Sequence, residues 1–512
     1  MYQWNRAYGA LMHIRRVTVE NVKSFRGTHR FDLTPGVNFF VGDNNSGKST
    51  VLQALLFVFD GPSKFLPETF YSTDPEGPTR VEVEIAGDVD KLVEQEKFKQ
   101  LKGFVFDHKG ERTLRLERSS EERKVLQQNK EKTVDVKAVC FWHPERGQFE
   151  NVTGIDAKVK AIFDFEAVWA DAQPGDHIDF AHTKTLGRLL DASFKRFVKT
   201  ESWKALAAAH KQAFSYESEG SFMAQAEELA SGLKELVDEQ YGQADYRFDF
   251  GLPDATVFMK HGRLQVDDGA GETPVDGKGT GMQRAIALGL IQLYARSGAL
   301  EDENPTPLIL MLDEPETWLH PSAQLKLGEA LSKIGEREQV FIITHSPYLI
   351  RKFNSQSHLL TVLSGHGEKR EVHPHTKFGL LGKGEPTWGE INYRAFEVCS
   401  NDFHNELYGH VQLHLDSQTE DGKTAKEKDV DEYFLAQGIP QSKTWRRTAE
   451  WQYPTTLPVY IRNAIHHPEN SLNPDFTEDE LRQSIEHLVA VVESINAAKE
   501  EGALTQPESA TS

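Results

Sequence analysis

The chain has 512 residues, enough for a large core and for more than one domain. Its 38% hydrophobic and 27% charged content suits a globular protein, no stretch reaches the roughly 20 apolar residues of a membrane span, and two cysteines, Cys140 and Cys399, are too few for a disulfide framework or a thiolate metal cluster. A formal net charge of −20 excludes a surface coated mostly with nucleic acid but leaves room for a local basic groove; with no signal-peptide pattern at the start, a cytoplasmic address is expected.

The first element with chemistry is GVNFFVGDNNSGKSTVLQALLFVF, residues 36–59. An apolar strand runs into a loop and then a helix, and the loop has the G-x-x-x-x-G-K-[ST] spacing. Gly42, Asn44, Asn45, Ser46, Gly47, Lys48, Ser49 and Thr50 are the candidate nucleotide-binding positions. Backbone N–H groups at a helix N-terminus favour phosphate, Lys48 would reach the β and γ phosphates of ATP, and Ser49 would help hold Mg²⁺.

Strands are then expected at RVEVEIAG, GFVFD, RTLRLER and TVDVKAVCFW, helices over about 200–240, and returning strands within DYRFDFGLPDATVFMKHGRLQVDD. The helices show no heptad sustained over three or four repeats, so a compact insert without a long coiled coil is expected. GKGTGMQRAIALGLIQLYA, residues 277–295, is a Gly-rich turn leading into an amphipathic helix. In PLILMLDEPETWLHPSAQ an apolar strand ends at Asp313 and Glu314, and in QVFIITHSPYLI another ends at His345. Asp313 suits the Mg²⁺ shell and Glu314 the attacking water. Ligands bind outside the carboxyl ends of strands in an open α/β sheet, where Lys48, Asp313, Glu314 and His345 all fall.

GDNNSGKST, LILMLDEPETWLHP and FIITHS resemble the ATPase head shared by ABC, SMC and RecF proteins, and in particular the OLD-like ATPases of bacterial anti-phage systems, including retron, Septu and PARIS types. The resemblance implies an α/β ABC-type P-loop head, with Glu314 as catalytic carboxylate and His345 as γ-phosphate sensor. It further implies a homodimer through the heads, in which a signature segment of the opposite protomer meets the γ-phosphate. Gly279, Thr280 and Gly281 are the candidates here, although no serine precedes the glycine. The Toprim nuclease that many OLD-like proteins append needs an Asp-x-Asp after a strand; the segment after 350 has none, so that DNA-cutting activity is not expected.

Residues 388–497 read as a helical domain. Apolar positions recur helically from Ile391 to Val411, Thr477 and Glu480 form a capping box, and Leu481, Ile485, Leu488 and Val492 share a face. In YIRNAIHHPEN, Arg462 and His466 lie at i and i+4, and Pro468 biases His467 out of the helix. Arginine can hold a phosphate while histidine moves a proton, which are the needs of metal-free RNA cleavage. The segment resembles the R-x4-H element of HEPN ribonucleases, which implies roles for Arg462, Asn463 and His467, with His466 as the alternative proton-transfer residue and Glu406 and His410 across a crevice. A looped RNA such as a tRNA would be the substrate. The alternatives are a non-catalytic tail that docks a neighbouring nuclease or toxin effector, and a RecF-like repair ATPase. The trigger would be a phage component.

The expected organisation is head (1–80 and 275–360), lobe and insert (81–274), linker (361–387), helical domain (388–497) and disordered tail (498–512).

Overall fold

The computed structural model describes residues 12–504 apart from 65–76, 128–129, 172–177, 181–183, 216–219, 253–256, 258–260, 270, 298–305, 366–369, 376–377, 382–385 and 419–423. It divides into two compact units, residues 1–170 with 306–512, and residues 171–305.

In the first unit the chain opens with β1 (His13–Val22), β2 (Phe25–Asp32) and β3 (Val37–Gly42), then α1 (Lys48–Phe59), β4 (Arg80–Ala86) and α2 (Val89–Glu94). Short strands follow: β5 (Phe106–His108), β6 (Glu111–Ser119), β7 (Arg123–Gln127), β8 (Lys130–Val134), β9 (Cys140–His143), β10 (Gln148–Asn151) and β11 (Asp164–Val168). The second unit holds α3 (Thr185–Phe197), α4 (Glu201–Ala213), α5 (Phe222–Tyr241), β12 (Gln265–Asp267), β13 (Glu272–Pro274) and α6 (Thr280–Ser297). The chain then returns through β14 (Leu308–Asp313), α7 (Pro321–Ile334), β15 (Gln339–Ile343), α8 (Pro347–Ile350), β16 (His358–Ser364) and β17 (Glu371–His375).

Two sheets sandwich α1. A six-stranded sheet, ordered β11-β14-β15-β3-β16-β17, is parallel except for its last strand. A nine-stranded sheet runs β2-β1-β4-β6-β9-β10-β7-β8, with β5 on β6. Strands β14 and β15 are buried along their whole length, which is why they read as unbroken apolar runs. VLQALLFVF in α1 is apolar on nearly all sides and is buried on nearly all sides, packing on both sheets. Gln339 ties the sheets together: its carboxamide accepts from Ile14 N at 2.8 Å and donates to Ile14 O at 2.7 Å and to Thr34 O at 2.8 Å.

Four expectations need correction. The stretch expected as a linker supplies β16 and β17, because LLTVLS is apolar enough to sit beside β3 in the buried sheet. In the second unit Tyr246–Leu252 form no strand; Phe250 instead packs tilted against Phe214 and edge-on against Phe222, with ring centres 5.7 and 5.5 Å away. Helix α6, expected in the head, belongs to the second unit, where the Arg188 guanidinium of α3 lies 4.3 Å from the ring centre of Tyr294. The helix expected to end near 497 runs to Leu504, and the tail expected beyond it lies outside the described residues.

The C-terminal region has its own core and consists of α9 (Trp388–Phe396), α10 (Asn401–Asp416), α11 (Glu427–Ala436), β18 (Lys443–Arg446), β19 (Gln452–Thr455), α12 (Leu457–His466) and α13 (Glu478–Leu504). The hairpin of β18 and β19 interrupts what reads as a purely helical sequence. Helix α9 seats the region on the head: Trp388 packs edge-on against Tyr348 at 4.9 Å and under the Arg351 guanidinium at 5.5 Å.

Candidate nucleotide site and C-terminal site

The phosphate loop is shaped by close contacts that forbid side chains. At Gly42, where β3 ends at φ 133°, a Cβ would stand 1.9 Å from Leu363 O of β16. At Gly47, the N-cap of α1 at φ 98°, it would strike the Phe25 ring at 2.8 Å. Asn45 between them is left-handed, at φ 64°. Both glycines therefore meet a steric need as well as a conformational one.

Lys48 is folded back along the loop. Its Nζ donates to Gly42 O at 3.0 Å and Asp43 O at 2.7 Å. Burial lowers its pKa, opposed by the charges of Glu314, Asp313 and Asp43. Ser49 Oγ donates to the Asp313 carboxylate at 2.8 Å. This hydroxyl and carboxylate are adjacent hard oxygen donors, the set that suits Mg²⁺ alongside phosphate oxygens. Thr50 is the third residue of α1, and its N–H closes onto Gly47 O at 3.0 Å.

Glu314 follows β14 in a left-handed conformation, φ 48°, secured by its N–H on Ile343 O at 2.9 Å. His345 Nε2 lies 3.9 Å from its carboxylate. Burial and the Lys48 charge lower the His345 pKa against the opposing pull of Glu314 and Asp43. Thus Lys48, Ser49, Asp313, Glu314 and His345 meet at the carboxyl ends of β3, β14 and β15. Gly279, Thr280 and Gly281, at the start of α6, lie in the other unit.

Two residues of this site escaped sequence reasoning. Glu316 is half-buried and accepts from Thr344 Oγ1 at 2.8 Å and His345 N at 2.7 Å, so it fixes the backbone that carries His345. Burial raises its carboxyl, opposed by those hydrogen bonds. Arg370 reaches across to the loop, donating to Asn45 O at 3.2 Å and Ser24 Oγ at 2.9 Å while its guanidinium covers the Phe25 ring at 4.6 Å. The DEPE pattern could have singled out Glu316; Arg370 has no local signal.

A cavity of about 280 Å³ opens beside the loop. Gly42, Asp43, Asn44 and His345 line one side, and Ala395, Phe396 and Glu397 at the end of α9 line the other. Glu397 is itself left-handed, φ 57°, and its carbonyl accepts from Arg482 of α13 at 3.1 Å.

The C-terminal residues are arranged differently from the expected crevice. Arg462 Nη1 donates to Asn463 Oδ1 at 3.0 Å, and its guanidinium lies 5.8 Å from the Tyr408 ring centre. Asn463 is 1% exposed, beyond reach of a substrate in this arrangement. His467 is the exposed C-cap of α12, at φ −127°, with Nδ1 3.4 Å from Glu469. His466 is exposed, its pKa lowered by partial desolvation and by the charges of Arg462 and His467. Glu406 accepts from Thr387 Oγ1 at 2.5 Å, with His410 one turn further along that face; Tyr408, which meets Arg462, lies about 200° round α10. Glu406 and His410 therefore do not face Arg462. Buried His404, whose Nε2 meets Ser484 Oγ at 2.9 Å, is pushed down to about 3 by burial.

Residues 37–351 match the family described as "AAA domain, putative AbiEii toxin, Type IV TA system". A protein called Old nuclease from Escherichia phage P2 is 28% identical over 353 residues, 66% of this chain and 57% of that protein. An OLD nuclease from Thermus scotoductus is 25% identical over 181 residues, 33% of this chain and 31% of that one. The chain thus spans a little over half the length of the phage relative and about a third of the other. An SMC head solved with the C-winged helix domain of ScpA overlays with a TM-score of 0.41 at 15% identity, over 71% of this chain and 97% of that one.

Proposed function

The chain belongs to the AAA-domain family described as putative AbiEii toxin, Type IV TA system, and on that premise we propose that it is a Mg²⁺-dependent ATPase that regulates a separate nuclease or toxin effector in bacterial anti-phage defence. The helix-rich C-terminal region is the element that docks or restrains the effector. In this reading the protein works in the cytoplasm as a homodimer of heads, with a phage component as its trigger.

The chemistry follows from the five residues at the ends of β3, β14 and β15. Lys48 leaves the Gly42 and Asp43 carbonyls for phosphate oxygens. Ser49 and Asp313 would hold Mg²⁺, which would neutralise phosphate charge. Glu314 orients the attacking water and draws on its proton. His345, whose pKa burial and the Lys48 charge lower, donates a hydrogen bond toward the terminal phosphate.

The observation that carries the regulatory part is the shared cavity. Asp43 and Asn44 of the phosphate loop and Glu397 at the end of α9 line the same space. A change in loop posture, such as release of Lys48 from the Asp43 carbonyl, reaches the C-terminal region without an intermediary. The test is cellular protection together with phosphate release. Lys48→Ala loses both; full protection at equal protein level would show that the head is only structural.

A second reading, metal-independent RNA cleavage, is supported by exposed His467 at the end of the helix that carries Arg462, which forms no ion pair among the described residues. Asn463 is too buried to take part as the chain stands. RNA incubated in excess EDTA distinguishes the readings. A cleaving tail leaves 2′,3′-cyclic phosphate ends and loses activity in Arg462→Ala and His467→Ala, whereas a docking tail leaves RNA intact.

A further inference from the structure

The hairpin of β18 and β19 is held against the end of α12 by contacts that leave its tip free. Trp445 is buried, with its ring centre 5.6 Å from Tyr460 and 6.5 Å from His467. The backbone of Arg446 is pinned on both sides. Its N–H donates to Asn473 Oδ1 at 2.8 Å, and its carbonyl accepts from Asn470 Nδ2 at 2.9 Å and Asn473 Nδ2 at 2.8 Å. The tip beyond this anchor carries exposed Arg446, Arg447 and Trp451.

These side chains are arranged unlike the surface arginines of the head. There, Arg112 is forked onto Asp90 and Arg115 onto Glu82. Arg446 and Arg447 form no ion pair among the described residues, in a chain with 78 acidic and 58 basic side chains. The Arg447 guanidinium lies 4.9 Å from the Trp451 ring centre, and Trp451 is 54% exposed. Lys443, lower on the hairpin, is neutralised by Glu480. The acidic groups around this face are Glu450, at the tip, Glu469, which is next to His467, and Glu427, which accepts from the Tyr453 hydroxyl of β19 at 2.6 Å. The anchored tip thus presents two exposed guanidinium groups beside a large exposed ring.

We propose that this hairpin tip is a binding site for single-stranded nucleic acid. Trp451, backed by Arg447, takes the face of an unpaired base, and Arg446 with the free edge of Arg447 holds the flanking phosphates. A duplex buries its base faces in its own stack and cannot offer this contact, so the site selects unpaired strands. With two arginines the electrostatic footprint is two phosphates, and the log–log salt slope is about −1.4. The proposal goes beyond ATP hydrolysis and effector control, and it holds whether or not the tail cleaves what it binds.

The test is fluorescence anisotropy of the full chain with labelled 12-nucleotide single-stranded RNA, the same sequence as DNA, and the RNA duplex, at 50 and 200 mM salt. Single strands are expected to bind with the shallow slope given above, and the duplex at least tenfold more weakly. Trp451→Ala weakens single-strand binding about tenfold while Trp451→Phe stays within about threefold of wild type. Arg446→Gln with Arg447→Gln reduces the salt slope by about 1.4. ATPase rate and melting temperature are unchanged in these variants. Equal RNA and DNA affinity identifies base and phosphate chemistry as the determinant; preference for RNA adds a 2′-OH contact. Duplex binding as tight as single-strand binding, a Trp451→Ala affinity equal to wild type, or no binding at 50 mM salt each overturns the proposal, the last leaving the face to an acidic protein.

Discussion

Glu316 gives the sharpest test of how the nucleotide site is built, because it touches no nucleotide position yet fixes one that should. Its carboxylate receives Thr344 Oγ1 and His345 N at 2.8 and 2.7 Å. Hydrogen bonds to a charged acceptor contribute about 1.5–3 kcal/mol each. Part of that is cancelled by burying the carboxylate, as its raised pKa shows. Glu316→Ala is therefore expected to loosen the Thr344–His345 backbone by about 2–3 kcal/mol, a roughly 30- to 150-fold loss of protection against amide exchange at His345. Turnover should fall by a similar factor while ATP affinity changes little, since Lys48 and Ser49 are untouched. Glu316→Gln keeps one acceptor oxygen and should recover most of the protection. Exchange at His345 unchanged in Glu316→Ala would refute this role, whatever the ATPase rate.

Glu314→Gln is expected to bind ATP with near wild-type affinity and to release no phosphate above background; wild-type release would remove Glu314 from the catalytic role. Gly42→Ala places a Cβ 1.9 Å from Leu363 O at φ 133°, so overpacking and backbone strain should cost about 2–6 kcal/mol, read as a lower melting temperature with lost ATP binding. The Glu338 carboxyl is raised from 4.5 to about 7, chiefly by burial. A carboxyl whose folded-state pKa is raised contributes stability that is full below about 4.5 and lost as pH rises through about 7. Glu338→Gln, which can still accept from Leu308 N, should therefore melt higher than wild type above pH 7, with the gap closing below pH 4.5; a gap independent of pH would contradict this.

The nucleotide-site residues were legible because each sits in a short segment whose backbone form is set locally. GDNNSGKS carries its own turn and helix start, and LILMLD and FIIT are buried strands whose ends can be read from the next polar residue. What was missed depends on distant pairing. Arg370 meets Asn45 and Ser24 only because β17 folds back beside β16, and Phe25 limits Gly47 only through the sheet that crosses α1. The hairpin of β18 and β19 was invisible because each strand has four residues, with one deeply buried side chain, Trp445, in the first. Arg462, Asn463 and His467 share a spacing, but helical geometry sends Asn463 inward and His467 outward, which spacing along the chain does not reveal.

The central claim is that nucleotide at the phosphate loop is felt at the end of α9 through the cavity between them. Amide exchange over residues 388–416 in Glu314→Gln, with and without Mg²⁺-ATP, addresses it directly. At least a fivefold change at Phe396–Ser400 on adding nucleotide, absent in Lys48→Ala, is the predicted result. Identical exchange with ATP demonstrably bound would contradict the account.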